Sequence, residues 1–265
     1  MSVTHRMNHI FRPDGRTFIL AMDHGSNFNV LPALKNPGRI IRECALAGTD
    51  AFLATPGLAE KFASEFLGRG IIMRIDGGVS FLVRESTPLQ TVIEPEDALV
   101  SGADAIVTMS FPGSKFEGEN LAAAAKNIRK AHRFGLPVMV EALPRGFEGG
   151  EDSRTPQNII FACRQAAEFG ADIIKTEYTG SVETMKELAE SVYAPVVILG
   201  GAKKIPERDL LQEVRDALDA GAAGVAMGRN IWGRENPARF TAAVVNLIHG
   251  DCSVDAALKE LNQIF

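Results

Sequence analysis

Cysteine is scarce in this sequence, with three residues among 265. The spacing of Cys44, Cys163 and Cys252 matches no metal-ligand motif, and an odd, sparse set is typical of reduced thiols in a cytosolic protein. Cys44 and Cys163 lie in apolar helical patterns, which indicates buried packing residues. The five histidines are scattered without ligand spacing, so the sequence predicts no metal site.

Long apolar runs and basic blocks are missing as well. The longest apolar runs are far shorter than a membrane span, and residues 1–16 lack the apolar segment of a secretory signal. The formal net charge is −5, and basic residues do not cluster, which argues against a nucleic-acid partner. These absences favour a soluble cytoplasmic protein that binds neither membrane nor nucleic acid.

The sequence does contain a recurring phrase, in which a glycine at the end of a helical pattern precedes an apolar run. The glycine suits the left-handed position that closes a helix. The apolar run suits a strand that is buried on both faces of a parallel sheet. The four copies begin at Ala47, Ser101, Phe169 and Ala220, and each predicts a helix-to-strand junction.

Four further apolar segments alternate with these junctions and are also predicted to be strands. They cover residues 18–22, 71–75, 137–141 and 195–199. Strands that alternate with helices imply a parallel sheet. Eight of them favour an α/β fold of the closed (β/α)8 type, a TIM barrel of about 250 residues, over an open doubly wound sheet. We expect residues 1–265 to form this one barrel domain.

Lys175 carries the most chemical information of any residue. It closes the run 171–175, which is predicted to be a buried strand. Burial there disfavours the charged ammonium and makes the neutral amine accessible. A neutral amine is a nucleophile towards carbonyl carbon and can form a Schiff base. The alternative is a structural lysine that is buried as an ion pair with Glu141 or Glu177.

Polar residues follow the other predicted strands at the end where barrel enzymes carry their catalytic groups. Asp23 is an acid–base candidate that could orient the lysine amine; alternatively, it is a turn residue. Its neighbour His24 would point to the other face of an extended strand. Glu141 could carry a proton or pair with Arg145 or Lys175. Arg145 could hold an anionic group of the substrate, or it could be a solvated surface residue.

Two glycine loops follow the seventh and eighth strands, which is the frequent phosphate-binding place in such barrels. Gly200 and Gly201 have no side chain, so backbone N–H groups can approach an anion closely. Gly228 and Arg229 open a short helical turn whose amino terminus attracts negative charge. Arg229 and Lys203 add positive charge. The pattern predicts a phosphate site, and the alternative is that the glycines only form turns.

Four motifs resemble those of the archaeal-type class I fructose-bisphosphate aldolases. This group is related to the aminodideoxyheptulosonate synthases and to the thiolase that degrades phosphorylated autoinducer-2. The resemblance covers nearly the whole chain and rests on Met22-Asp23-His24-Gly25, Lys175-Thr176-Glu177-Tyr178-Thr179-Gly180, Gly200-Gly201-Ala202-Lys203-Lys204 and Met227-Gly228-Arg229-Asn230-Ile231-Trp232.

The resemblance implies a TIM-barrel lyase without metal or cofactor that cleaves a phosphorylated ketose. It implies a homo-oligomer, often a decamer in this family. It also implies roles for individual residues: a Schiff-base lysine at Lys175, an acid–base or orienting aspartate at Asp23, phosphate contacts at Gly201, Lys203, Gly228 and Arg229, and substrate contact by Arg145.

One residue departs from the aldolase pattern. The aldolases end the fifth strand with Tyr-Pro-Arg-Gly, whose tyrosine transfers the proton, whereas this chain has Leu143 there. Leucine has no proton to give, so Glu141, Asp23 or a water takes the role, or the reaction differs. The thiolase relative also lacks the tyrosine. The open alternatives are thiolase or heptulosonate-synthase-like chemistry, phosphosugar isomerisation, and non-catalytic binding of a sugar phosphate.

Overall fold

A computed structural model describes residues 2–27, 30–78, 80, 82–83, 85, 87–201 and 205–262. Its strands are β1 (Thr17–Ala21), β2 (Ala51–Ala54), β3 (Gly70–Arg74), β4 (Asp76–Gly77), β5 (Gln90–Thr91), β6 (Ala105–Ser110), β7 (Val138–Ala142), β8 (Ile173–Thr176), β9 (Val196–Ile198) and β10 (Gly224–Met227). All except the antiparallel pair β4–β5 form a closed parallel barrel in the order β1-β10-β9-β8-β7-β6-β3-β2. The predicted TIM barrel is confirmed.

One helix precedes β1, and at least one helix follows each of the eight barrel strands. The helices are α1 (Val3–Met7), α2 (His24–Asn27), α3 (Pro37–Leu46), α4 (Pro56–Lys61), α5 (Pro95–Val100), α6 (Glu117–Arg133), α7 (Pro156–Glu168), α8 (Val182–Ser191), α9 (Glu207–Asp219), α10 (Arg229–Trp232), α11 (Pro237–His249) and α12 (Val254–Asn262). None of the helices in the described part of the chain combines the length and apolar character that a membrane crossing requires.

Helix α7 shows how local sequence sets the helices. It begins with Pro156 after Thr155, whose hydroxyl accepts a hydrogen bond from the Asn158 N–H. Such an N-cap satisfies a backbone donor that the first helical turn leaves unpaired. Its inner face buries Cys163 completely, and burial raises the pKa of this thiol to about 12. Cys44 of α3 is equally buried, so both cysteines are the packing residues that the sequence predicted.

The glycines of the recurring phrase close their helices as predicted. All four have positive φ, between 89° and 107°, at Gly48, Gly102, Gly170 and Gly221. A side chain is strained in that region, whereas glycine enters it freely. Each glycine therefore turns the chain from a helix into the following strand.

Three of the repeats also carry an aspartate with an unexpected structural role. It accepts a hydrogen bond from a backbone N–H at the start of the adjacent strand, and the pairs are Phe18 to Asp50 (2.7 Å), Ile71 to Asp104 (3.0 Å) and Val138 to Asp172 (2.8 Å). These bonds join neighbouring strands at the amino end of the barrel and help to fix their register.

The alternation of side chains along the strands directs residues into the barrel or towards the helices. Ile173 packs inside the barrel with Met139 and Val197, whereas Ile174 packs in the layer between strands and helices. Because side chains alternate with period two, the residue after Ile174 points inward again. Lys175 therefore continues the inner column of β8 just above the apolar filling of the barrel.

Candidate active site

A cavity of about 390 Å³ opens at the carboxyl ends of the strands. Its wall continues the inward-facing columns of the barrel beyond their last apolar layer. Seven charged residues contribute to this wall, and they are Asp23, Arg74, Glu141, Arg154, Lys175, Glu177 and Arg229. The structure thus brings together most of the residues that the sequence singled out, and it adds Arg74 and Arg154.

Lys175 and Glu141 form a buried ion pair in this cavity. They are register partners on adjacent strands β8 and β7, and Nζ of Lys175 lies 2.8 Å from Oε1 of Glu141. The two residues are only 5% and 8% exposed. Lys175 is therefore sheltered from water as predicted, but a carboxylate rather than an apolar surface faces its nitrogen. A proton must leave this nitrogen before it can attack a carbonyl group.

Glu141 is held as an anion. Burial by itself raises the pKa of this carboxyl group, but the charges of Lys175 and Arg74 outweigh burial and lower the pKa to about 2. The second oxygen of Glu141, Oε2, lies 2.5 Å from Nη2 of Arg74. Glu141 is consequently a strong electrostatic partner for a cation and a weak base.

The sequence places Arg74 at the end of a predicted strand, but no role in the site was predicted for it. It ends β3 and is 3% exposed. Besides Glu141, its guanidinium contacts Oδ2 of Asp23 (2.9 Å) and Oδ1 of Asp76 (3.1 Å). Burial lowers the pKa of Arg74, but the three carboxylates raise it well above its usual value. The signal was present in the sequence, since Arg74 follows an apolar strand just as Lys175 does.

Asp23 and His24 both line the cavity. Asp23 pairs with Arg74 (2.9 Å) and is 9% exposed. His24 begins helix α2 instead of extending β1. The expectation that His24 points to the opposite face of an extended strand from Asp23 therefore does not apply. Its ring packs edge-on against Trp232, with 5.7 Å between the ring centroids.

The two glycine loops form one side of the cavity. A Cβ atom on Gly228 would lie 2.7 Å from the carbonyl oxygen of Ala21, so a side chain there would collide with the end of β1. Nη2 of Arg229 lies 3.5 Å from the carbonyl oxygen of Gly201, which joins the two loops. Burial lowers the pKa of Arg229. Lys203, the other predicted cation, lies outside the described residues.

Arg145 is not among the residues that line the cavity. It is exposed and has a left-handed backbone, with φ of 57°. Arg154 lines the cavity instead, where its Nε lies 2.8 Å from Oε2 of Glu177. The Arg154 guanidinium also donates to the carbonyl oxygens of Pro144 and Gly146. Arg154 therefore holds the loop after β7 against Glu177. The sequence around Arg154 contains no pattern that predicts this role.

Glu177 differs electrostatically from Glu141. Burial raises its pKa, the charge of Arg154 lowers it, and the nearby charge of Glu141 raises it again; the net effect is a raised pKa. A cavity carboxyl group with a raised pKa is better suited to proton transfer near neutral pH than one fixed as an anion.

Leu143 forms an apolar part of the cavity wall. It is 4% exposed and packs in a small cluster with Leu89, Met109 and Phe111. The position that carries a phenol in the aldolase pattern is therefore filled by hydrocarbon. Among the described residues, no group of three or more histidine, cysteine, aspartate or glutamate side chains is arranged to hold a metal ion.

Comparisons with known proteins show which family and fold this chain resembles. Residues 17–234 match the model of the DeoC/LacD family aldolases. A 2-amino-3,7-dideoxy-D-threo-hept-6-ulosonate synthase of Halobacterium salinarum is 36% identical over 96% of this chain and 94% of its own length. A class 1 fructose-bisphosphate aldolase of the same species is 34% identical over 92% and 95%. The solved structure of a Schiff-base-forming fructose-1,6-bisphosphate aldolase has a TM-score of 0.86 and 32% identity, and the match covers 94% of this chain and all of that one.

Proposed function

This chain belongs to the DeoC/LacD aldolase family and is a class I, Schiff-base aldolase, and we propose that it cleaves and forms a C–C bond of a phosphorylated ketose through an iminium on Lys175. The observation that carries this proposal is the position of the Lys175 amine. It is buried beside Glu141, in the same cavity as the Gly228–Arg229 turn.

The covalent step begins when the Lys175 nitrogen gives up its proton and attacks the ketone carbon. The carbonyl oxygen takes up both protons that the nitrogen loses and leaves as water, and a cationic iminium remains. The iminium then accepts the electron pair of the bond between the α and β carbons as that bond breaks, which leaves an enamine on Lys175 and releases an aldehyde. Glu141, held as an anion at 2.8 Å from the nitrogen, stabilises the positive charge of the iminium.

Cleavage also requires a group that removes the proton of the substrate hydroxyl and later returns a proton to carbon. Leu143 cannot do this. Glu141 is a weak base, because its pKa is about 2, whereas burial raises the pKa of Glu177. Glu177 is therefore the proton carrier in this proposal, and Asp23 orients the reacting groups.

The phosphate group of the substrate would lie against Gly200, Gly201 and Gly228, with Arg229 as its cationic contact and His24 on the adjoining wall. Support comes from the bare backbone of these loops, from the position of Arg229 beside the cavity, and from relatives named for phosphorylated sugars. Lys203 would add a second cation. Arg145 is exposed and lies outside the cavity lining, so its contact with the substrate stays a prediction.

The resemblance to aldolases further suggests a cytoplasmic homo-oligomer, with a decamer as the expected size. Sedimentation analysis would measure the size.

Borohydride trapping tests the proposed chemistry. The protein is incubated with a panel of phosphorylated ketoses, sulfo-sugars included, and is then reduced and digested. We expect a mass increment on the peptide that contains Lys175, together with an aldehyde product. Turnover of a ketose without any trapped peptide would reject the covalent step.

Three other outcomes would redirect the assignment. A requirement for coenzyme A would identify thiolytic acyl transfer, and isomerisation without fragmentation would identify an isomerase. Stabilisation by a sugar phosphate without any product would identify a binding protein. The heptulosonate synthase relative makes transfer of the cleaved fragment to a second carbonyl the first alternative to test.

A further inference from the structure

Arg74 joins carboxylates that come from distant parts of the barrel. In the closed order of strands, β1 and β7 lie opposite each other, and β3 lies two strands from each. Arg74 extends from β3 to both, because its Nε contacts Asp23 beyond β1 and its Nη2 contacts Glu141 on β7. One side chain thereby links the two carboxylates across the floor of the cavity.

The third contact of Arg74 fixes the arginine itself. Oδ1 of Asp76 lies 3.1 Å from Nη1. Oδ2 of Asp76 accepts hydrogen bonds from the Thr108 hydroxyl (2.9 Å) and the Met109 N–H (2.5 Å). Asp76 is 4% exposed and does not line the cavity. It therefore anchors Arg74 to β6 from outside the cavity lining.

We propose that Arg74 is a positioning residue of the aldolase reaction, which holds Glu141 beside the Lys175 nitrogen and Asp23 in a fixed place in the same cavity. This inference rests on the proposed function. Arg74 acts through the two carboxylates, and Asp76 acts through Arg74. The iminium then forms beside an anion that is already oriented, so little reorganisation is needed as charge develops.

The geometry requires a guanidinium group. Its three nitrogens diverge in one plane, and each contacts a different carboxylate. A lysine ammonium is a single point on a flexible stem and cannot occupy three such positions at once. The same reasoning predicts that activity lost on replacing Arg74 with alanine can be restored by added guanidinium. A small guanidinium ion can fill the space that the side chain leaves.

The main test compares Arg74→Ala, Arg74→Met and the wild-type protein with a ketose phosphate that the wild type cleaves. We expect kcat of Arg74→Ala to fall about 100-fold or more, which is typical for removal of one preorganised electrostatic partner. KM should change little, because the predicted phosphate contacts, Arg229 and the glycine loops, follow β9 and β10 and are not among the described contacts of Arg74. Millimolar guanidinium should restore activity to Arg74→Ala but not to Arg74→Met, whose side chain fills the space.

A second test leaves Arg74 in place. Both oxygens of Asp76 accept hydrogen bonds, so Asp76→Asn places an amide N–H₂ group against a donor in either orientation. The donor is Nη1 of Arg74 in one orientation and the Thr108 hydroxyl with the Met109 N–H in the other. We expect kcat to fall about tenfold with KM unchanged, as for a small displacement of catalytic groups.

Asp50→Asn is the matched control for Asp76→Asn. Asp50 also contacts an arginine (Nε of Arg12, 2.5 Å) and a backbone N–H (Phe18, 2.7 Å), but it lies at the opposite end of the barrel. This control should lose stability while keeping kcat.

The results separate the inference from the proposed function. If the wild type gives no trapped peptide at Lys175, the proposed function fails. If the wild type is trapped but folded Arg74→Ala keeps its kcat, or guanidinium does not restore it, the positioning role fails alone. Should Arg74→Ala not fold, equal effects of Asp76→Asn and Asp50→Asn on kcat would overturn the positioning role.

Discussion

Glu141 and Lys175 are direct register partners on β7 and β8, and their charged atoms lie 2.8 Å apart. This pairing explains how a lysine is kept at the bottom of a polar cavity in a defined position. It also means that the reactive nitrogen and its counter-ion are held by the barrel itself, since both residues belong to strands and not to loops.

Replacing Lys175 with methionine removes the nucleophile while keeping a long apolar side chain. We expect no borohydride-trapped peptide and no cleavage of a ketose phosphate. The protein should still fold, since Arg74 remains beside Glu141, although loss of a buried pair lowers the unfolding free energy by up to about 3–5 kcal/mol. Lys186→Met is the control, because this lysine is 66% exposed; persistent cleavage by Lys175→Met would exclude the iminium.

Replacing Glu177 with glutamine tests the proton carrier. Glutamine keeps the size of the side chain but cannot exchange a proton, so we expect kcat to fall roughly 10²–10⁴-fold. Trapping of the iminium at Lys175 should persist, because the covalent step precedes cleavage. The comparison is with Glu183→Gln on the outer helix α8. If Glu177→Gln turns over normally, the proton passes through Asp23 or a water instead.

The stability of the protein should depend on Glu141 in a pH-dependent manner. Burial raises the pKa of Glu141, but Lys175 and Arg74 lower it from 4.5 to about 2. A depressed folded-state pKa stabilises the fold above pH 4.5 and loses that effect as the pH falls towards about 2. At pH 6, Glu141→Gln should therefore be less stable than the wild type by roughly 3 kcal/mol.

Urea denaturation of both proteins at a series of pH values measures this effect. The difference in unfolding free energy should shrink between pH 4.5 and about 2. Glu190→Gln, at a side chain that is 70% exposed, should show no such trend. A difference that does not change with pH would mean that Glu141 stabilises the fold through packing alone.

Arg229 and Arg145 should differ in their effect on substrate binding. Arg229 lines the cavity, whereas Arg145 is exposed and lies outside its lining. We expect Arg229→Ala to raise KM for a ketose phosphate about tenfold or more, as for loss of one charge-assisted contact. Arg145→Ala should change KM less than threefold. The reverse order would show that the loop after β7 closes over the substrate.

A tyrosine at position 143 would restore the phenol of the aldolase pattern. Leu143 is buried among Leu89, Met109 and Phe111, so the larger ring should lower the unfolding free energy by about 1–3 kcal/mol. Leu143→Phe is the matched control, since it adds the ring without the hydroxyl. We expect faster cleavage of fructose 1,6-bisphosphate in Leu143→Tyr than in Leu143→Phe, and equal rates would show that the phenol has no role here.

The barrel was predictable because its signals are local. Each copy of the recurring phrase combines a helix-closing glycine, such as Gly170, with a short apolar run such as that before Lys175. Both features act on neighbouring residues and need no knowledge of distant ones. The position of the cavity followed from the prediction of eight parallel strands, since parallel strands in a closed barrel all end on one side.

The sequence by itself determined the eight-stranded barrel, the placement of Lys175, Glu141 and Asp23 at the strand ends, and the bare backbone of the two glycine loops. Only the tertiary structure decided which charges meet. Arg74 bridges strands that are opposite in the barrel, Arg154 lines the cavity beside Glu177, and Asp50 joins strands at the far end. These contacts depend on barrel closure and on the path of a loop, which bring together residues that are separated by dozens of positions and share no local pattern.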